Sequence, residues 1–254
     1  MNGLGGEVGV NMADASKNPP SEAGGKKRPK FPSGKGDGLL EFVRVDSKTV
    51  MTRKRATYPL KLLAVPNLPT NATHTDAAWV YMIGHGGGIV SDDLIRLQCK
   101  VGDGATAVLT TQSSTKVYHC RDGGCAYQGL QAEVGNDALL VLLVDPVVPF
   151  ASSRYIQRQE FRLKAGEDGK QAGSVVVVDW MTAGRRARGE RWQFLSYETC
   201  NDVLVGGKLA VHDGVKLSSE DQHSVPLLQR MDPFNCLATV LLLGPRVKAL
   251  AQEL

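Results

Sequence analysis

Aromatic side chains are scarce in this 254-residue chain, at 6%, and long apolar runs are missing. The longest runs, Ala138–Val144 and the Thr-interrupted Cys236–Leu243, fall far below the ~18–20 residues that a membrane-spanning helix needs, so no helical span is predicted. An excess of one charge sign is missing too. The formal net charge is +4, and the first 38 residues hold six basic and four acidic side chains. The remaining body is therefore close to neutral, which excludes the dense basic face of a nucleic-acid-binding protein. There is no CxxC pair among the five cysteines, at 99, 120, 125, 200 and 236, and no basic, then apolar leader at the start. Five reduced thiols in a reducing compartment, the cytoplasm, are the expectation. No GxSxG or GxxxxGK[ST] segment occurs, so neither a serine hydrolase elbow nor a P-loop is present.

What is there divides into two parts. Residues 1–38 carry nine Gly and four Pro and almost no bulky apolar side chains. Such a segment buries too little to offset the entropy of ordering, so a disordered tail is predicted. Its Lys26-Lys27-Arg28-Pro29-Lys30 cluster resembles a nuclear-import signal but reads more simply as a solvated basic stretch. From residue 39 to 254 the pattern has period two and is rich in β-branched residues. Strands are expected at 40–45, 49–53, 79–83, 89–100, 106–112, 117–120, 130–134, 138–144, 155–163, 174–179, 193–199, 203–205, 208–211 and 236–243. Turn signals recur every 8–12 residues. The prediction is a mainly β, single large antiparallel domain with few short helices, one near 225–230 and one over 245–254. Gly102-Asp103-Gly104 and Arg121-Asp122-Gly123-Gly124 read as hairpin turns. No internal repeat stands out.

Several motifs resemble functional ones. Gly84-His85-Gly86-Gly87-Gly88 is like an oxyanion-hole segment, but without a nucleophile elbow it reads as backbone crowding, with glycines allowing close approach or positive φ. His119, Cys120 and Cys125 surround a tight turn; they are either ordinary turn residues or an incomplete soft-metal site. Arg185, Arg186, Arg188 and Arg191 form either an exposed loop or a docking surface for an acidic partner.

Taken as a set, four blocks carry a family resemblance. They are Val80-Tyr81-Met82-Ile83-Gly84-His85-Gly86-Gly87-Gly88-Ile89-Val90-Ser91-Asp92-Asp93; Gly102-Asp103-Gly104-Ala105 with Leu109–Tyr118; Asp145–Phe150 with Arg154–Gln159; and Asp179–Arg185 with Gly189–Trp192, continued by Arg230–Cys236. In this order they resemble the urease accessory protein UreD (UreH) family in a eukaryotic-style version, from about Leu39 to the C-terminus. The resemblance implies a β-rich, non-enzymatic maturation factor. It would join the urease apoprotein to UreF and, through UreF, to the GTPase UreG, with nickel in transit along an internal polar passage and no tightly bound cofactor. Asp92 stands where the family commonly has Gly. Family members usually continue with further β-structure beyond the point where this chain stops, which makes a truncated C-terminus one expectation.

Nickel in transit is best served by oxygen ligands that do not trap it. Matched to the family pattern, Asp93, Asp179 and Glu190 are the candidate metal ligands, each with a turn or ion-pair role as its rival. Lys116, Arg154 and Arg185 are candidates for partner binding or for positioning these acids. Asp179 ends the apolar Val175–Val178 run, which marks a central, buried strand. A carboxylate there needs water, a cation or hydrogen-bond donors; a water-filled, nickel-conducting passage would supply the first two, and a buried ion pair with a nearby arginine such as Arg185 is the rival. A β-rich module that binds a small ligand or a protein, without a metal role, is the alternative function.

Overall fold

The computed structural model describes residues 34–65, 76–166, 172–221 and 225–253. Sixteen strands appear in the order β1 (Asp37–Val45), β2 (Lys48–Ala56), β3 (Leu60–Val65), β4 (Ala78–Gly84), β5 (Gly88–Ile89), β6 (Leu94–Val101), β7 (Thr106–Thr111), β8 (Thr115–Val117), β9 (Ala126–Val134), β10 (Leu139–Leu143), β11 (Val147–Pro149), β12 (Arg154–Leu163), β13 (Ser174–Thr182), β14 (Ser196–Val205), β15 (Lys208–Ser218) and β16 (Cys236–Leu243). The helices are short: α1 (Leu227–Arg230) and α2 (Lys248–Glu253), the latter entered through a 3-10 turn at Pro245–Val247. The protein is mainly β, as the period-two pattern predicts. Among the described residues no helix is long and apolar enough to cross a membrane.

The antiparallel expectation does not hold. Ten of the fourteen strand pairings among the described residues are parallel, and only four are antiparallel. The chain winds as a solenoid. One sheet runs β15-β14-β12-β9-β6-β1-β2, and the other runs β3-β4-β7-β10-β13-β11-β8-β5 with β16 beside β13. The β11-β8-β5 end of this sheet, joined to it by β11 on β13, makes a narrow face of parallel strands. Each coil passes from the second sheet through the narrow face to the first: β4-β5-β6, β7-β8-β9 and β10-β11-β12, then β13 and β14. Coils begin at Ala78, Thr106, Leu139 and Ser174, roughly thirty residues apart, within the range of repeat architectures.

Gly102–Gly104 therefore makes no hairpin. It is a corner between β6 of one sheet and β7 of the other, and the 121–124 turn likewise leads from the narrow face into β9. A corner and a hairpin need the same turn residues, so local sequence does not distinguish them. Among the described residues antiparallel strands occur only where the stack is capped: β1-β2 and β3-β4 at one end, β14-β15 and β13-β16 at the other. The alternating pattern places Leu40, Phe42, Val80, Leu109, Leu140 and Phe161 between the sheets, each almost fully buried.

The predicted tail boundary also shifts. Strand β1 begins at Asp37, whose side chain is buried, and Gly34 already donates its N–H to Asp37 Oδ2 at 2.7 Å. The rest of the predicted tail, residues 1–33 with the basic cluster, lies outside the described residues. In α2, Leu250 and Ala251 are exposed, and only Val247 of the preceding turn is buried. The apolar side expected over 245–254 is thus mostly uncovered.

Candidate functional site

The narrow face begins with the glycine-rich turn. Gly86 and Gly87 adopt φ of 80° and 71°, where glycine is favoured. A Cβ at Gly88 would lie 2.5 Å from the Lys116 carbonyl oxygen and 2.5 Å from the Tyr118 ring. Gly88 thus lets β5 pack on β8, as the crowding reading of this motif expects.

The next turn holds Asp92 at φ 66°, a conformation that suits glycine. Valine here is expected to cost about 1–2 kcal/mol, because a β-branched side chain resists left-handed backbone. Asp92→Gly should stay within about 0.5 kcal/mol of the parent. Urea denaturation of both variants checks the ordering.

Asp93 is buried, and its Oδ2 accepts the Val90 N–H at 3.2 Å. Its Oδ1 lies 3.6 Å from the exposed Lys35 ammonium. It closes the turn ahead of β6. Lys116 is exposed on β8.

Glu190 follows the 3-10 turn at Arg186–Arg188. Its carboxylate takes a two-pronged contact from the Arg185 guanidinium and the Ala151 N–H at 3.2 Å. Arg185 in turn lies 3.8 Å above the Phe150 ring. The Arg185 hydrogen bonds, with the Ala151 amide adding to them, hold the Glu190 carboxyl below its ordinary value of 4.5. A lowered folded value means that the pair adds stability above the unfolded value and loses it as pH falls through the folded one. Glu190→Gln is therefore expected to flatten the fall in stability below about pH 4.5, read as urea midpoints against pH.

Arg154 donates to Glu220 through Nε and Nη2 and to Cys120 Sγ through Nη1 at 3.3 Å. The His119 ring faces the Ala151 carbonyl and Arg185. His119, Cys120 and Cys125 are thus not gathered around a common point. Among the described residues, the one group of three such side chains close enough to share an ion is Cys200, Asp202 and His212.

Asp179 has a different setting. It points from β13 into the space between the sheets and is 5% exposed. Its Oδ2 accepts from Gln157 Nε2 at 2.8 Å, Asn201 Nδ2 at 3.1 Å, Thr199 Oγ1 at 3.2 Å and Gln159 Nε2 at 3.3 Å. All four donors are neutral, and Oδ1 has no partner among the described residues. Arg185 is committed to Glu190, so the rival ion pair with Asp179 does not form.

The donors come from two strands in parallel register: Tyr155 opposite Tyr197, Gln157 opposite Thr199, Gln159 opposite Asn201, then apolar Phe161 opposite Val203. The polar half of both strands faces inward at the same end. Tyr155 O–H donates to Gln157 Oε1 at 2.7 Å, with Gln128 Oε1 at 3.0 Å, and Asn201 Nδ2 reaches Asp213 Oδ2 at 3.2 Å. Burial first, then Tyr197 and Asp179, push the Tyr155 hydroxyl well above its usual 10. Burial and Asp179 do the same to Tyr197. Both phenols stay protonated and able to donate.

This polar row adjoins two cavities. The smaller, about 30 Å³, is lined by Thr111, Thr115, Gln128, Asp145, Gln157 and Gln159. That is room for about one or two waters among polar partners. The larger, about 250 Å³, lies under the glycine-rich turn against Gly84, Gly87, Gly88 and Ser113–Thr115. Met82, Thr111, Thr115 and Gln128 line both. Sequence reasoning found Asp179 but missed Gln157, Gln159, Thr199 and Asn201. Their signal is a run of successive amide or hydroxyl side chains at the inward positions of strands whose outward positions are mostly charged.

The pattern of the UreD urease accessory proteins matches residues 34–254. The chain belongs to that family. It is 41% identical over 217 residues to urease accessory protein D of Oryza sativa subsp. indica, covering 85% of this chain and 68% of the relative. The Arabidopsis thaliana urease accessory protein D is 39% identical over 219 residues, 85% of this chain and 70% of its own. Urease accessory protein UreD of Sorangium cellulosum is 42% identical over 219 residues, 86% of this chain and 65% of its own. Membership of the UreD family assigns the chain to urease maturation as an accessory protein. The four blocks that carry the UreD likeness fall on successive coils, each including the passage from the second sheet to the narrow face or the turn after β13. They thus surround the end of the molecule where the polar row and both cavities lie.

Proposed function

We propose that this UreD-family protein is a non-enzymatic cytoplasmic scaffold. It joins the urease apoprotein to UreF and, through UreF, to UreG, and nickel passes through its polar interior to the urease site. Family membership supports the maturation role. The observation that carries the nickel reading is Asp179: a carboxylate between two sheets, held by four neutral donors, with one oxygen unpartnered. Burying a carboxylate without a paired cation is costly. A site that passes a divalent ion gains from the missing partner, because the cargo supplies the positive charge. Oxygen ligands, amides and hydroxyls hold nickel more weakly than thiolates, which favours release.

In this reading Asp93 and Glu190 shape the turns flanking the narrow face, while Lys116 on that face meets a partner. Arg154 and Arg185 act through the carboxylates they hold. The test is reconstitution. The protein, UreF, UreG and urease apoprotein are mixed with nickel and GTP, the assembly mass is read by light scattering, and nickel per urease site is counted. A complex of all four and protein-dependent loading are expected. Loading that proceeds equally well without this protein refutes the proposal.

A further inference from the structure

The β14–β15 hairpin carries a second group of donor atoms, on the face turned away from the interior row. Cys200 and Asp202 are two residues apart on β14, so their side chains share one face. In the antiparallel register His212 of β15 stands directly opposite Asp202, and Gly214 stands opposite Cys200. The one register irregularity of this pair falls between Val203 and Leu204, beyond the group.

A Cβ at Gly214 would meet His212 Nε2 at 3.4 Å. The imidazole lies beside the bare glycine and reaches diagonally to the thiol. His212 Nδ1 sits 2.6 Å from Asp202 Oδ1 and 3.7 Å from Cys200 Sγ, and Cys200 Sγ is 3.5 Å from Asp202 Oδ1.

We propose that Cys200, Asp202 and His212 form a surface site for one borderline divalent transition-metal ion, which clamps the edge strand β15 to β14. The geometry argues as follows. An ion bound tetrahedrally at ordinary bond lengths, roughly 2.0–2.3 Å, sets its ligand atoms about 3.3–3.6 Å apart. Two edges of the triangle are already near that spacing. The third is short because Asp202 and His212 share a hydrogen bond, and it opens when the ion replaces the proton between them. Thiolate with imidazole selects zinc-like and nickel-like ions over magnesium or calcium. His212 is exposed, which leaves a fourth position for water. The nearby cation, Arg158, is engaged by Glu198 and does not occupy the site. This site is independent of the interior passage: its ligands face outward and include a thiol.

The full-length protein, stripped with chelator, is titrated with Co(II), and the charge-transfer band of a cobalt–thiolate bond is followed. One equivalent should produce the band, Zn(II) should displace it, and Zn(II) should raise the melting temperature by binding the folded state. Cys200→Ser should abolish the band. His212→Gln, an exposed and mild change, should weaken binding at least tenfold and remove the thermal shift, which keeps the test decisive if Cys200→Ser does not fold. A Cys120→Ser, Cys125→Ser double variant should keep the band. Parallel titrations with Ni(II) and Zn(II) rank the two ions, and tight binding of either supports the site. No thiolate band in the parent protein, a band that survives Cys200→Ser, or one lost with Cys120 and Cys125 overturns the proposal.

Discussion

Asp179→Asn is expected to lower nickel loading of urease about tenfold while the protein folds and assembles with UreF normally. The scale is that on which a ligand-positioning group acts on metal affinity. Asparagine is the right substitution because of how the site is wired. All four donors converge on Oδ2, and an amide oxygen can take that place. The amide nitrogen then falls where Oδ1 has no partner, at a cost of about 1–3 kcal/mol for an unpaired buried donor. Alanine is a poorer test: it strands four donors at once, and a loss of loading would be confounded by a loss of fold. Normal nickel counts in a folded, assembled Asp179→Asn would refute a passage through Asp179. The scaffold role would then rest on assembly alone.

The strands were legible because a half-buried strand must alternate, whatever its neighbours. Leu40–Val45 and Tyr155–Leu163 are visible for that reason, and Cys236–Leu243 as a short apolar run rich in β-formers. How they pair was not legible. A parallel pairing such as that of β9 with β12 is specified by a whole coil returning to register, and no single residue in the coil announces it. The coils also differ in length, so no repeat is visible. Short β11, and β3 beside a proline-containing turn, escaped because they offer little pattern. The site divides in the same way. Asp179 was legible, since an acid ending an apolar run demands an explanation. Gln157 and Gln159 look like ordinary strand polars until β12 and β14 are placed in register with Thr199 and Asn201. The Arg185–Glu190 pair is only five residues apart and was within reach of local reasoning, yet both residues were assigned elsewhere.

Arg96→Ala is expected to cost about 3–5 kcal/mol, and Asp37→Ala about 1–3 kcal/mol, although the two remove the same contact. Arg96 donates to Asp37 through Nε at 2.7 Å and Nη2 at 3.1 Å, opposite it in the parallel β1–β6 register. The asymmetry comes from exposure. The Asp37 side chain is 1% exposed and the Arg96 side chain 49%. Removing Arg96 leaves a buried carboxylate with, among the described residues, only the Gly34 amide as a partner, and an unpaired buried charge is among the most costly of defects. Removing Asp37 leaves a guanidinium that turns to water. What is lost then is the hydrogen bonds themselves and the closure of the Gly34–Asp37 turn, beside which the Thr57 hydroxyl receives the Asp37 N–H at 2.9 Å. Truncation through residue 37 removes the same ion pair and should destabilise at least as much as Asp37→Ala. Urea denaturation of both single variants and their double variant gives the ordering and the coupling energy. Asp37→Ala costing more than Arg96→Ala would show that the strand start is held by the turn and not by the charge pair.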